Sequence, residues 1–315
     1  MTIEKLTSRA IVGEFYHKLT TDPGAAWIDP ISMLFNSNQG SEEYAWLGQS
    51  PVMKEWVGGR NTKGFRENSF TIKNLHFEAT MEVLKHELRR DKTGQVMVRI
   101  RELATRTNAH WASLLSTLVL NGASALCYDG QYFFDTDHSE GDSGTQSNSI
   151  SSDISAIPAQ VRGVPASPSA EEMRGSIMKG VAQILGFVDD QGEPMNENAR
   201  SFLVQVPISL YQVAVEAVAP PAQTSGPQVG AIPPGFGVSV AANTRLNSWT
   251  DKFAVFRTDG DVKPFIRQQE TEVELSAIAE GSELEFNEGK HRYGVDVWRN
   301  VAYGYWQHAC LVTMI

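Results

Sequence analysis

The stretch GQVMVRIRELATRTNAHWASLLSTLVLN, residues 94–121, decides the fold predicted for this chain. Its apolar side chains recur at the spacing of one helix face: Met97, Ile100, Leu103, Ala104, Trp111, Leu114, Leu115 and Leu118. Gly94 and Gly122 flank the stretch at positions where helices usually begin and end. At 1.5 Å per residue such a helix is roughly 40 Å long, so we expect one beam-like helix across the molecule. Polar Asn108 and His110 interrupt the apolar face, which excludes a membrane span.

The composition is that of an ordinary water-soluble protein. The 315 residues are 41% hydrophobic and 20% charged, and the length allows one large domain or two of ordinary size. The formal net charge of −10 argues against a nucleic-acid reader, which needs a basic face. The start of the chain is polar and no apolar run is long enough to span a membrane. We therefore expect no signal peptide, no membrane association and a reducing, aqueous compartment.

The chain has two cysteines, Cys127 and Cys310. Two isolated cysteines supply neither a disulfide framework nor a zinc ligand set. Both lie in apolar sequence surroundings, so we expect buried free thiols.

The N-terminal part is predicted to form an arm. Residues 3–19 have a loose helical pattern, and residues 21–30 break it with two prolines, a glycine and the isolated Trp27. A helix of this kind cannot bury its own apolar face, so we expect it to dock on another surface. The alternative is that it forms the first helix of the core.

Residues 41–80 are predicted to form a long, hairpin-like ribbon. Alternation over residues 70–75 indicates a strand, and a glycine-rich stretch marks the tip. The tip is basic, and two tryptophans flank it: Arg60, Lys63 and Arg66, with Trp46 and Trp56. Because a solitary hairpin is marginal in water, we expect a partner to cover the ribbon. Two edge strands of an ordinary sheet, with a solvated basic loop, are the alternative.

The remaining elements indicate an α+β fold. Asp129-Gly130 predicts a strand–turn–strand over residues 125–138, and residues 139–153 are predicted to be a loop. Ser169 with Glu172 fits a capping box that begins a helix ending at Leu185. The rest of the chain is predicted to contain a strand, a helix after Pro207, a proline- and glycine-rich loop and four strand-like segments. Helices and strands mix without repeats or a regular βαβ order.

Two short motifs imitate catalytic or metal-binding segments. Gly141-Asp142-Ser143-Gly144 resembles a protease nucleophile segment, but no matching histidine context or disulfide accompanies it. Asp135, Asp137 and His138 offer metal-ligand atoms, yet no second ligand cluster is evident, so hydrogen-bonded turn residues are favoured.

Other catalytic signals are missing from the sequence. The histidines form neither HxH nor HExxH, and there is no phosphate-binding loop or complete dinucleotide fingerprint. His110 is better explained as an interior or flanking histidine than as a base. We therefore predict no enzyme activity, no cofactor and no metal.

A long helix, a protruding ribbon and an arm are typical of a protein that contacts copies of itself, because each gains burial from a neighbour. In addition, four segments together resemble the Mu-like phage major head subunit, the T protein of Mu-type phages. They are SEEYAWLGQSPVMKEWVGGR (41–60), IKNLHFEATMEVLKHEL (72–88), LVLNG (118–122) and YDGQYFFDTDH (128–138).

The resemblance implies the HK97-like capsid fold, with its parts in the same order as in this chain. It divides the chain into an N-terminal arm (1–40), an E-loop (41–80), a peripheral P domain (81–164) with the spine helix (94–121), an axial A domain (165–248) and closing P-domain strands (249–315). It implies hexamers and pentamers that close into an icosahedral phage head around double-stranded DNA, which is bound without sequence specificity. It also implies a separate scaffolding protein, a portal and decoration proteins, assembly in the host cytoplasm and a final place in the virion.

The same resemblance assigns the ribbon a place over the P domain of a neighbouring subunit. We therefore predict inter-subunit contacts for the basic tip and its tryptophans, with carboxylates at the foot of the spine helix as partners. The predicted contact residues are Arg60, Lys63, Arg66, Trp46, Trp56, Glu87 and Asp91. Two rival hypotheses remain: a hydrolase that uses Ser143 or Asp137, and a binding module that stays monomeric.

Overall fold

The computed structural model describes residues 7–44, 70–90, 94–219 and 235–315. Its helices in chain order are α1 (Ser8–Thr21), α2 (Ile28–Ile31), α3 (Lys85–Arg90), α4 (Gln95–Asn121), α5 (Ala170–Leu185), α6 (Ile208–Val218) and α7 (Glu283–Glu288). Its strands are β1 (Ser32–Asn36), β2 (Ser41–Tyr44), β3 (Phe70–Lys73), β4 (Leu75–Leu84), β5 (Ser149–Ser152), β6 (Ser201–Val206), β7 (Gly237–Ala242), β8 (Lys252–Arg257), β9 (Phe265–Gln269), β10 (Glu274–Ile278), β11 (Lys290–Tyr303) and β12 (Ala309–Met314).

The long helix predicted from residues 94–121 is confirmed as α4, which has 27 residues. Gly94 precedes it with φ 72°, a left-handed conformation that glycine adopts without the steric cost of a Cβ. Its buried side chains include Ile100, Ala104 and Leu115, all from the predicted apolar face. The helix is therefore a spine with one face packed along the subunit.

The first sheet is organised around β11. On one side β4 pairs antiparallel with it, from Leu84 opposite Lys290 to Leu75 opposite Arg299. On the other side β10 and then β9 pair antiparallel with β11, and β1 adds parallel to β9. In the described part of the chain, β4 pairs with β11 alone, so its second edge is free.

The second sheet has the strand order β5-β12-β8-β6-β7. Helix α5 packs against β12 and β8, whereas α6 packs against α5 and β7. The predicted capping box at the start of α5 is confirmed, since Ser169 Oγ accepts from the Glu172 N–H and Glu172 Oε2 accepts from the Ser169 N–H. A core of buried aliphatic and aromatic side chains fills the space between these helices, the sheet and the C-terminal half of α4.

Helix α1 belongs to the core of its own subunit. Ile11 and Phe15 are fully buried against Ile100 and Ala104 of α4 and Tyr293 of β11. Of the two alternatives for the N-terminal helix, the structure therefore supports the first helix of the core for residues 8–21. The sequence pattern could not distinguish the two, because any partner that offers an apolar surface satisfies the same stripe.

The base of the predicted ribbon is present. β2 and β3 pair antiparallel, with Tyr44 opposite Phe70, and the Tyr44 hydroxyl donates to Gln268 Oε1 at 2.7 Å. Gln268 in turn donates to the carbonyl of Ile72 and to Asn74 Oδ1, so the base is tied to the first sheet. Residues 45–69 lie outside the described residues.

Three sequence-based assignments need correction. Residues 125–138 form turns rather than two strands, with isolated bridges from Leu126 to Tyr132 and from His138 to Gln146. The end of the predicted loop 139–153 is strand β5, because its backbone pairs in parallel with β12. Residues 249–315 do not all close the sheet of the spine helix, since β8 and β12 belong to the second sheet and only β9 to β11 to the first.

Both cysteines are free and buried, as predicted. Burial raises the pKa of Cys127 and of Cys310 above the ordinary range of a thiol. They are packing residues of the large core.

Candidate functional site

Of the seven residues predicted to contact another subunit, only Glu87 is described. It is exposed on α3, and its Oε2 accepts from the backbone N–H of Leu84 at 3.4 Å. It therefore lies at the surface near the foot of the spine helix. The other six, Arg60, Lys63, Arg66, Trp46, Trp56 and Asp91, lie outside the described residues.

The GDSG segment is a turn without catalytic geometry. Ser143 Oγ accepts from the N–H of Glu140 at 2.9 Å and donates to the carbonyl of Gly144 at 2.9 Å. No histidine of the described residues hydrogen-bonds this hydroxyl. A serine nucleophile needs a base within hydrogen-bond reach, so Ser143 stabilises a turn.

Within the DTDH segment, His138 is buried and hydrogen-bonded, Asp135 is half-buried, and Thr136 and Asp137 are exposed. His138 Nδ1 and Asp129 Oδ2 are 2.6 Å apart, and the imidazole stacks on Trp306 at 4.0 Å between ring centroids. Asp135 accepts from the backbone N–H groups of Tyr132 and Thr136. The role is structural, in agreement with the favoured interpretation of the sequence.

Within residues 7–44, 70–90, 94–219 and 235–315, no group of three histidine, cysteine or acidic side chains is placed to hold a metal ion. In that same part of the chain, every helix is too short or too polar to cross a bilayer.

The buried charge with the most unusual surroundings is Arg299, between the first sheet and α4. Its Nε donates to His110 Nδ1 at 3.0 Å, its Nη2 donates to the Thr107 carbonyl at 3.0 Å, and its guanidinium lies 4.6 Å from the Trp111 ring centroid. Burial lowers the pKa of Arg299 to about 10. Burial and the charge of Arg299 lower the pKa of His110 to about 4, so His110 is a neutral acceptor at pH 7. No carboxylate among the described residues pairs with Arg299.

Arg299 and His110 lie at the bottom of an open groove between β4 and α4. The inner part is a cavity of about 170 Å³. Its apolar walls come from the strands β4 and β11 and from the helix α4. A shallower cavity continues it along α4 past Arg99. We call this the β4–α4 groove, with the lining residues Phe77, Ala79, Met81, Arg99, Leu103 and Arg106 above the floor.

The sequence analysis did not predict two groups of exposed apolar side chains. Ile208, Tyr211 and Val215 form an exposed stripe along α6, although the helix itself was predicted. Phe286 on α7 is 91% exposed. Helical spacing on α6 gives a signal for its stripe, whereas nothing in the sequence around Phe286 distinguishes an exposed ring from a buried one.

Comparison with solved structures identifies the class of protein that this fold defines. The subunit of the procapsid of bacteriophage JBD30 superposes with a TM-score of 0.57 at 21% identity, over 97% of this chain and 73% of that chain. The capsid of the cyanophage P-SCSP1u gives a TM-score of 0.55 at 10% identity, over 93% and 88% of the two chains. The fold is therefore that of the HK97-like phage capsid subunits, as predicted.

The family follows from the sequence match. The model of the Mu-like prophage major head subunit gpT matches residues 8–158 and 234–314, well over half of the chain. The chain belongs to the Mu-like prophage major head subunit gpT family. This family is structural rather than enzymatic, and the hydrolase alternative has no support.

Two curated relatives agree with this family. The Mu-like prophage FluMu major head subunit of Haemophilus influenzae is 33% identical over 123 residues, which are 38% of this chain and 40% of the relative. The major capsid protein of Escherichia phage Mu is 33% identical over 108 residues, 34% of this chain and 35% of the relative. The aligned part thus spans well under half the length of either relative.

Proposed function

We propose that this chain is the major head subunit of a tailed phage and that its copies assemble into the icosahedral shell that encloses double-stranded DNA. The observation that carries the proposal is the capsid-subunit fold built on the 27-residue spine helix, in a chain of the gpT family. Hexamers and pentamers are the closed rings from which such a shell is built.

The partners follow from the same proposal. A separate scaffolding protein directs assembly in the host cytoplasm, and a portal and decoration proteins complete the head of the virion. The packaged DNA contacts the wall without sequence specificity. The net charge of −10 supports a wall that holds DNA weakly, because tight phosphate binding requires clustered cations.

In this proposal the ribbon is a movable contact element. The basic residues Arg60, Lys63 and Arg66 meet carboxylates of an adjacent subunit, and Trp46 and Trp56 are covered there. Glu87 and Asp91 are the proposed acidic partners. The exposed position of Glu87 on α3 is compatible with this role.

The first experiment is assembly of the purified chain, followed by size-exclusion chromatography and negative-stain microscopy. The expected products are capsomers, shells or tubes. A stable particle of about 35 kDa at all concentrations contradicts the proposal and favours the monomeric binding module. Shell closure by Ser143→Ala and Asp137→Ala variants removes the hydrolase alternative.

The second experiment tests the ribbon. Deletion of residues 58–66 is expected to block shell closure while the subunit keeps its circular dichroism spectrum. A variant with Arg60, Lys63 and Arg66 changed to glutamine keeps the chain length and serves as the matched control for charge. Normal shells from the deletion variant show that the ribbon is dispensable.

A further inference from the structure

We propose that the β4–α4 groove receives Phe286 of a second copy of this chain, so that α7 of one subunit docks between β4 and α4 of the next. This contact rests on the proposed function, since it requires self-assembly. It joins two surfaces of the first sheet that the sequence did not indicate as partners.

The inserted group is defined by its exposure. Phe286 is 91% exposed on a short helix that connects β10 to β11. Ser282 caps the helix, because its Oγ accepts from the N–H of Glu285, and Lys85 pairs with Glu285 at 2.6 Å. The helix is thus fixed to the body of the subunit while the phenyl ring points away. Aromatic side chains displayed in this way are typical anchors of protein interfaces.

The groove has the size and chemistry of a receptor for a phenyl ring. Its inner cavity of about 170 Å³ is lined by Phe77, Ala79, Leu103 and two valines of β11. An apolar cavity of about 150 Å³ accommodates benzene in other proteins, so the inner cavity has the volume for one phenyl ring. Among the described strands, β4 pairs with β11 alone, so its other edge, beside the groove, carries no strand there.

Charges on the two surfaces are complementary. Glu283, one turn before Phe286, is exposed and pairs with no cation of the described residues. At the groove, Arg99 is exposed without a carboxylate partner in the described part of the chain, and Arg299 lies at the floor without one. Of the two acidic side chains at the groove, Glu102 pairs with Arg106, and Glu78 accepts a hydrogen bond from the neutral Thr80 hydroxyl.

The ring cannot reach the groove of its own subunit. α7 ends next to Lys290, which pairs with Leu84 at the end of β4. The inner cavity begins at Ala79, five residues further along the strand, or roughly 17 Å at 3.4 Å per residue, whereas the shallower part of the groove reaches Met81. A phenylalanine side chain does not span that distance, so the occupant is another copy. Because the two contact surfaces differ, the contact is head-to-tail, and in the proposed hexamers and pentamers it closes into a ring.

The test uses two single variants, each with a matched control on the same sheet. Phe286→Ala removes the ring, and Ile278→Ala removes an exposed apolar side chain of β10. Ala79→Trp fills the groove, and Thr80→Trp places the same bulk on the opposite face of β4. Assembly is followed by light scattering and analytical ultracentrifugation, and circular dichroism checks that each variant is folded.

We expect the Phe286→Ala and Ala79→Trp variants to raise the concentration needed for assembly about tenfold or more, while both controls stay near wild type. An equimolar mixture of the two variants is the stricter test. Phe286→Ala subunits keep an intact groove and Ala79→Trp subunits keep the ring, so the mixture forms one-to-one dimers that cannot close. A Phe286→Cys, Leu103→Cys double variant should form intermolecular disulfides on oxidation.

Assembly of Phe286→Ala at the same concentration as Ile278→Ala overturns the inference. The inference is also overturned if the equimolar mixture of Phe286→Ala and Ala79→Trp contains only monomers. Failure of the wild-type chain to assemble contradicts the proposed function itself, so the two failures are distinguishable.

Discussion

Acid should destabilise the folded subunit through His308, and the size of the effect follows from its surroundings. His308 is 4% exposed, and its Nδ1 lies 3.1 Å from the carbonyl of Val262. Burial and the nearby charge of Arg257 lower its pKa to about 4. An exposed histidine has a pKa of about 6.5.

The sign follows from the order of protonation. The unfolded chain binds the proton at a higher pH than the folded chain, so the free energy of unfolding falls as the pH drops from about 6.5 towards 4. At a pH of about 4.5 this single group removes about 2.5 kcal/mol relative to a pH of about 7.5. His110, with its pKa also lowered to about 4, acts in the same direction.

The assay is urea unfolding of the unassembled subunit at the two pH values, followed by tryptophan fluorescence. A His308→Gln variant keeps an N–H donor for Val262 but does not titrate, so its loss of stability on acidification should be smaller than that of wild type by about 2.5 kcal/mol. His17→Gln, an exposed position on α1, is the matched control and should leave the loss unchanged. An identical acid-induced loss in wild type and His308→Gln refutes the argument.

Three further predictions concern stability and are measured by calorimetric unfolding. Gly141 has φ 57° and its added Cβ would lie 2.4 Å from the Asp190 carbonyl oxygen, so Gly141→Ala should cost about 2 kcal/mol or more. Gly144 has φ 67° and open space around it, so Gly144→Ala should lose less stability than Gly141→Ala. Equal losses in the two variants would show that the contact with Asp190 is not the cause. Ser169→Ala removes the cap of α5 and should lower the free energy of unfolding by about 1 kcal/mol. No change in that free energy would show that the cap does not stabilise the subunit. Ile177→Ala leaves a cavity in the large core and should cost about 2–5 kcal/mol; a loss below 1 kcal/mol would show that the core closes around it.

The sequence predicted those elements whose signal is local. The spacing of apolar residues in α4 and the capping box of α5 each depend on a few neighbouring residues. β5 was not predicted because its serine-rich sequence has no strand signal. It forms a strand because it pairs with β12, which is distant in the sequence. The division of residues 249–315 between two sheets is likewise a matter of which distant strand each one meets.

The candidate site was less predictable for the same reason. The family resemblance led to contact residues in the ribbon, because its basic and aromatic composition is visible in the sequence. The β4–α4 groove combines β4, α4 and the far end of β11, and no single segment carries its pattern. Phe286 occurs in an unremarkable acidic segment, and its exposure follows only from the position of α7 beyond the end of β4.

Arg299 shows how packing inside the subunit can prepare a surface for assembly. Its charge is held by neutral acceptors, His110 and the Thr107 carbonyl, and by the face of Trp111. Such an arrangement is more costly to fold than a buried pair with a carboxylate, because the charge is only partly compensated. In the proposed contact, Glu283 of the neighbouring subunit comes to the same groove, so a negative charge is added near Arg299 only when two copies associate.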